Sequence, residues 1–241
     1  MAVRQEGFVA LWHNIPPDVD EEYNLVHTRE HVPDYVANAA DRGGIEFGRR
    51  YAEGDGQLPR YFMFYPARDM SAFQRLAAKP WPEHPGGTSD WFNSIINQYR
   101  DSWRNNCRLI DSVGGGTGGA ALSMIMRLSD EAAGGGATVK TVLSELISIP
   151  QVLGVTFGLT DPAIEPNRPT LSADDAPVGV MVIESFNRLR LAQAVAPIRD
   201  LLVRRGIALE EPRYGLYQLA YELRPESLDR IAAFGGHEKR W

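Results

Sequence analysis

The chain has 241 residues, 25 basic and 31 acidic side chains, and a formal net charge of −6. At 44% hydrophobic it has the composition of a packed globular protein, which excludes intrinsic disorder. The acidic balance offers no positive field to a polyanion, so nucleic acid is not an expected partner, and the single cysteine, Cys107, excludes an internal disulfide and cysteine-rich zinc modules.

The first strand signal is FVALWHN, residues 8–14. Residues 18–40 follow with helical periodicity, with Asp18 or Asp20 as N-cap and Gly43-Gly44 as the stop. IEFGRRYAE (45–53) and RYFMFYPA (60–67) read as strands joined by the turn GDGQLP. Helical segments are expected around 70–78 and 89–103, and CRLIDSV (107–113) closes the series as a strand. VGGGTGG, 113–119, holds five glycines in seven residues and reads as a flexible joint. It contains a literal G-x-G-x-x-G, but a dinucleotide fingerprint must open a helix, and the ALSMIMRL that follows reads as a strand.

Beyond the joint the order repeats: a strand at 121–128, a helix at 138–149 ended by Pro150, strands at 152–160 and 178–186, an amphipathic helix at 189–205 despite Pro197, and a last strand at 213–223. The pattern is βαββαβ twice, each copy a ferredoxin-like unit with a four-stranded antiparallel sheet and helices on one face. Met63, Met124, Met126 and Val180 mark apolar sheet faces that need cover, and packing one sheet on the other supplies it. The expected architecture is an α+β, pseudo-twofold, single-chain barrel. Its parts are a first half (1–112) carrying the active site, a linker (113–119), a second half (120–223) serving as scaffold, and a tail (224–241). No apolar run reaches the roughly 18 residues of a membrane span and the N-terminal apolar run is short, so a soluble cytoplasmic protein is expected.

The chain has five histidines: His13, His27, His31, His84 and His237. Four precede the glycine joint, so one site per chain is expected, in the first half. Histidine moves protons near neutral pH. His27 and His31 are four apart on the first helix and share a face. With Glu30 they spell H-T-R-E-H, the inverted zinc-protease motif. That motif needs a further downstream carboxylate, yet no glutamate stands between Glu83 and Glu131, and Pro33 disturbs the helix next to His31. No metal is expected.

The segment EEYNLVHTREHVPDYVANA, then GIEFGRRY and RYFMFYPA, resembles the first helix and following strands of EthD-like proteins of the dimeric α+β barrel superfamily. The resemblance falls on Tyr23, His27, Glu30, His31, Val32, Pro33 and Asp34, then Arg49, Arg50 and Tyr51, and covers roughly residues 8–67. His27 stands where the pattern often has tryptophan. The resemblance implies a pocket between sheet and helices for small aromatic or polycyclic molecules. Related barrels include cofactor-free monooxygenases, polyketide cyclases, muconolactone isomerase, aldoxime dehydratases and haem-dependent peroxidases, and the fold does not choose among them.

Alternation sends Trp12 and His13 to opposite faces of the first strand, and puts Tyr61 and Tyr65 on the same side of theirs. His27, His31, His13 and Tyr65 are the candidate catalytic residues, with Trp12, Arg49, Tyr51, Tyr61, Trp81 and His84 as candidate substrate contacts. Arg49 and Arg50 alternate sides, so at most one serves a given pocket. KPWPEHPGGTSDW (79–91), bearing Trp81, His84 and Trp91, reads as a lid or as a loop pinning Trp81. An imidazole base beside phenols suits a cofactor-independent lyase or isomerase acting on a small aromatic or cyclic substrate. The alternatives are a cofactor-free monooxygenase and a non-catalytic binder of aromatic ligands. Haem ranks low, because in the related barrels its histidine comes from the second half, which here offers only His237. A homodimer is compatible with the sequence.

Overall fold

The computed structural model describes residues 5–40, 44–73, 89–164 and 177–228. Eight antiparallel strands form one closed barrel: β1 (Gly7–Asn14), β2 (Gly48–Gly56), β3 (Tyr61–Ala67), β4 (Arg100–Gly114), β5 (Ala120–Arg127), β6 (Val152–Thr160), β7 (Val178–Ser185) and β8 (Arg213–Leu223). Around the barrel the order is β1-β3-β2-β8-β5-β7-β6-β4. Each half therefore contributes four consecutive staves, and the halves join where β2 pairs with β8 and β4 with β6. This is the tandem ferredoxin-like α+β barrel.

The first helical stretch runs as α1 (Asp20–Val26), a π-helical turn (His27–His31) and α2 (Val32–Ala40). Pro33 explains the break in regularity. It has no N–H to give, and its ring crowds the carbonyl of Arg29. The chain widens by one residue instead, the Val32 N–H donating to the carbonyl of His27. The other helices are α3 (Asp90–Ile96), α4 (Asp130–Ala133), α5 (Ala137–Ile147) and α6 (Arg188–Arg204).

The barrel interior is filled by Phe8, Trp12, Tyr51, Phe62, Phe64 and Tyr217 together with smaller apolar residues, among them Val180 and Val182. Trp12 stacks on Phe62 with ring centroids 5.3 Å apart, and Tyr51 stacks on Phe62 at 5.6 Å. Their polar tips are satisfied across the two halves. The Trp12 Nε1 donates to Ser123 at 2.9 Å, the Tyr217 hydroxyl to the carbonyl of Pro59 at 2.8 Å, and the Tyr51 hydroxyl to Glu184 at 3.2 Å. Arg49 joins this network, donating to Glu184 at 2.6 Å, to Glu222 and to Thr117.

Three sequence expectations change. Met63, Met124 and Met126 pack under the helices and not sheet to sheet, whereas Val180 does face inward. The helix expected at 89–103 stops at Ile96, and β4 starts at Arg100. A register shift between Trp12 and Asn14, with Asp101 in the left-handed region at φ 48°, marks that entry. The joint is also less free than its composition implies. β4 runs through Gly114, and Gly115 and Gly116 both donate to the carbonyl of Leu153. A Cβ on Gly118 would lie 2.1 Å from the Ser185 carbonyl oxygen, so glycine is there for close backbone approach. Trp81, His84, most of the expected helix at 70–78 and the tail beyond Leu228 lie outside the described residues. Among the described residues no helix is long and apolar enough to cross a membrane.

The contrast within the joint is testable. Gly118→Ala should cost about 1–3 kcal/mol in urea unfolding, since backbone has to move. Gly115→Ala, which meets nothing within 4 Å, should stay within about 0.5 kcal/mol of the parent. Equal effects at both positions would show that the joint is loose.

Candidate functional site

Strand register lays out the helix-facing side of the first sheet as a grid. His13 stands opposite Tyr61; one row along, Arg50, Met63, Leu11 and Arg104 face one another in turn across four strands; in the next row Tyr65, Val9 and Asn106 do the same. The helices close over this grid. α1 contributes Tyr23, the π turn contributes His27 and His31, and α3 contributes Phe92 and Ile95.

The histidines gather at one end. The Nε2 of His13 and the hydroxyl of Tyr23 share a hydrogen bond of 2.8 Å, and the Nε2 of His27 is hydrogen-bonded to the hydroxyl of Tyr99. Tyr99 also lies flat on His13, with centroids 4.1 Å apart and planes 2° from parallel. One phenol thus touches both imidazoles. His31 stands 4.7 Å from His27 and stacks on Phe92 at 4.4 Å. His13 and His27 are buried, while His31 and Tyr99 are half-buried.

Glu30, the central acid of H-T-R-E-H, is used elsewhere: it accepts from the hydroxyl of Ser89, which caps α3 by accepting from the Phe92 N–H. Among the described residues no group of three histidine, cysteine or carboxylate side chains could hold a metal ion. Tyr61 donates to Asp20 at 2.8 Å and accepts from Asn24 at 3.0 Å, and Arg60 pairs with Asp20.

Burial keeps the phenols protonated. It pushes Tyr23 well above the ordinary tyrosine value, helped by Tyr99 and opposed by the charge of Arg50. Tyr65 is pushed up for the same first reason. Tyr61 is pushed up to about 12 by burial and by its bond to Asp20. The site therefore presents hydroxyl donors around imidazoles that accept or release a proton.

Of the residues expected from the sequence, His13, His27, His31 and Tyr61 come together, and Tyr65 lies in the same layer against Tyr35. Trp12, Arg49 and Tyr51 do not: all three point into the barrel, where they hold the halves together. The arginine on the histidine side is Arg50, which donates to the carbonyl of Asn24 and the hydroxyl of Thr28. Tyr99 and Tyr23 were missed as site residues. Tyr23, His27 and His31 form an i, i+4, i+8 stripe that could have flagged the first of them. Tyr99 falls inside the mistaken helix and had no such signal. An open groove of about 780 Å³ beside β4, lined by Gln5, Glu6, Glu46 and Arg108 among others, lies apart from the cluster and holds no histidine.

Because the folded protein holds these phenols neutral, its stability should be complete below the free-tyrosine value near 10 and should fall as pH rises through about 12. Urea unfolding across that window, followed by tyrosinate absorbance, should show a steeper fall for the parent than for Tyr61→Phe. Identical slopes would remove Tyr61 from the account.

No protein-family model matches the chain, and no curated protein matches it. Solved structures do. An anthrone oxidase-like protein superposes with a TM-score of 0.58 at 10% identity, covering 93% of this chain and 95% of that one. A candidate monooxygenase from Fusobacterium nucleatum subsp. nucleatum gives 0.55 at 10% identity, covering 93% and 96%. A candidate chlorite dismutase gives 0.50 at 11% identity, covering 96% and 100%. At such identities the likeness is one of fold, and the chain is similar throughout its length to dimeric α+β barrel proteins.

Proposed function

We propose that this protein is an enzyme that removes a proton from a small aromatic or polycyclic substrate and passes the resulting carbanion to molecular oxygen, acting without a bound cofactor. The reading rests on one observation. Two buried imidazoles, His13 and His27, are each hydrogen-bonded through Nε2 to a tyrosine hydroxyl, and Tyr99 touches both. His27 is the base and Tyr99 exchanges its proton with the half-buried edge of the site; His13 and Tyr23 hold the Tyr99 ring in place and extend the relay. His31 shapes the wall with Phe92.

Oxygen as the second reactant is favoured by the monooxygenase and oxidase-like names among the structures of similar fold, and the EthD-like motif adds the expectation of a small aromatic substrate. For a benzylic ketone of the anthrone type the reaction balances: two C–H bonds break, one C=O bond forms, and the second oxygen atom leaves as water. Haem ranks low because the second half, from which its histidine is expected, offers none before His237. The corresponding helix–sheet layer of the second half is packed with Met124, Met126, Val139, Leu143 and Leu146, and no histidine stands among them.

The same base without an oxidant describes a lyase or isomerase, and one experiment separates the two. Oxygen uptake is followed with anthrone as the probe, in air and under argon. Quinone formation should require oxygen and should fall by about 100-fold or more in His27→Gln, with about a tenfold loss in Tyr99→Phe. Turnover that continues under argon would move the assignment to lyase or isomerase. Uptake that ignores His27→Gln would end the proposal.

A further inference from the structure

Arg50 is 4% exposed, and no carboxylate of the described residues lies within ion-pair distance of it. Its hydrogen bonds go to neutral oxygens, the carbonyl of Asn24 at 3.3 Å and the hydroxyl of Thr28 at 3.1 Å, and its guanidinium sits between the rings of Tyr23 and Tyr221 at 5.9 and 5.5 Å. Its Nε finds no hydrogen-bond partner. The hydroxyl of Tyr65 is buried and likewise finds none. The two side chains leave neighbouring strands on the same face: Arg50 is opposite Met63, and Tyr65 is two residues further along β3.

A buried cation without a counter-charge is costly, and so is a buried hydroxyl without an acceptor. Arg49, one residue away, shows the ordinary solution, since it has Glu184 and Glu222. Arg50 differs in facing the histidine layer, where its positive charge is felt at both Tyr23 and Tyr65. Two orphaned donors on adjacent strands, in the layer that carries the histidines, are suited to one acceptor carrying negative charge.

We infer that Arg50 and Tyr65 form an oxyanion subsite, and that the substrate is an aromatic molecule bearing an anionic oxygen, either a carboxylate or an ionised phenol or enol. The guanidinium supplies the charge and the phenol the second hydrogen bond. The inference rests on the histidine layer being the substrate site. It adds that the ligand enters as an anion, which an overall acidic protein would not attract by its net field.

Binding is measured under argon by calorimetry and thermal shift, with sodium benzoate, 4-nitrophenolate and neutral benzamide as probes. At least one anion should raise the melting temperature of the parent while benzamide does not; a response to benzoate alone identifies a carboxylate ligand, and to 4-nitrophenolate alone a phenolate. Arg50→Gln should weaken that anion at least tenfold, and Tyr65→Phe severalfold. Unliganded Arg50→Gln should melt at or above the parent temperature, because an uncompensated charge has gone. If it does not fold, Arg50→Lys replaces it, keeping the charge but not the fork and binding the anion more weakly than the parent. His27→Gln should bind the anion like the parent even though turnover is lost, so the subsite and the oxygen chemistry fail separately. No anion response in the parent, or an equal response in Arg50→Gln, would overturn the subsite and leave Arg50 as a clamp on Asn24 and Thr28.

Discussion

An eight-stranded sheet closed on itself has an interior just wide enough for side chains to fill. Trp12, Tyr51, Phe62, Phe64 and Tyr217 fill it here, and the polar tips of Trp12 and Tyr51 reach Ser123 and Glu184 on other staves while that of Tyr217 reaches the carbonyl of Pro59 in the turn between β2 and β3. That packing makes the inside of the barrel a joint between halves. The polar cluster lies on the other side of the pleat, beneath the helices of the first half. Trp12 and His13 state the division in two adjacent residues, one inward and structural, the other outward and among the phenols.

The two helix-covered layers have diverged in kind. In the second half α5 and α6 close over Met, Val and Leu side chains in an unbroken apolar core. In the first, α1 and the π turn close over His13, Tyr61 and Arg50, so polar groups must find partners with water excluded. The π turn meets part of this need, with His27 bonded to Tyr99 and Thr28 accepting from Arg50. By giving way at Pro33 the helix keeps His27 and His31 over the sheet, while Glu30 turns aside to hold Ser89 at the start of α3. α3 in turn fixes Phe92 against His31 and delivers the chain to Tyr99.

Much of this was legible in the residues. The duplicated order of elements gave the barrel, because each unit leaves an apolar sheet face that only a second sheet can cover. Histidine spacing placed His27 and His31 on one face, and alternation placed His13 across from Trp12. The choice between Arg49 and Arg50 was not legible. β2 is buried on both faces along Gly48–Tyr51, so hydrophobicity carries no phase there, and only pairing with β3 and β8 sets it. Tyr99 was hidden for another reason: Trp91 to Trp103 has helix-like apolar spacing, but the real helix ends at Ile96, and the next strand is defined by its long-range pairing with β1. The glycine joint misled in the opposite direction, since composition reports permissiveness and not the neighbours that require it.

The ion pairs at Arg49 bear on which half pairs with which. Arg49 belongs to the first half, while both of its carboxylates, Glu184 and Glu222, belong to the second. Two first halves brought together would bury two guanidiniums facing no acid, and two second halves would set four carboxylates against one another. Each half is thereby matched to its complement and mismatched to itself, a discrimination by charge that persists if the connecting glycines are cut. At this seam the two halves are complementary in charge and not interchangeable.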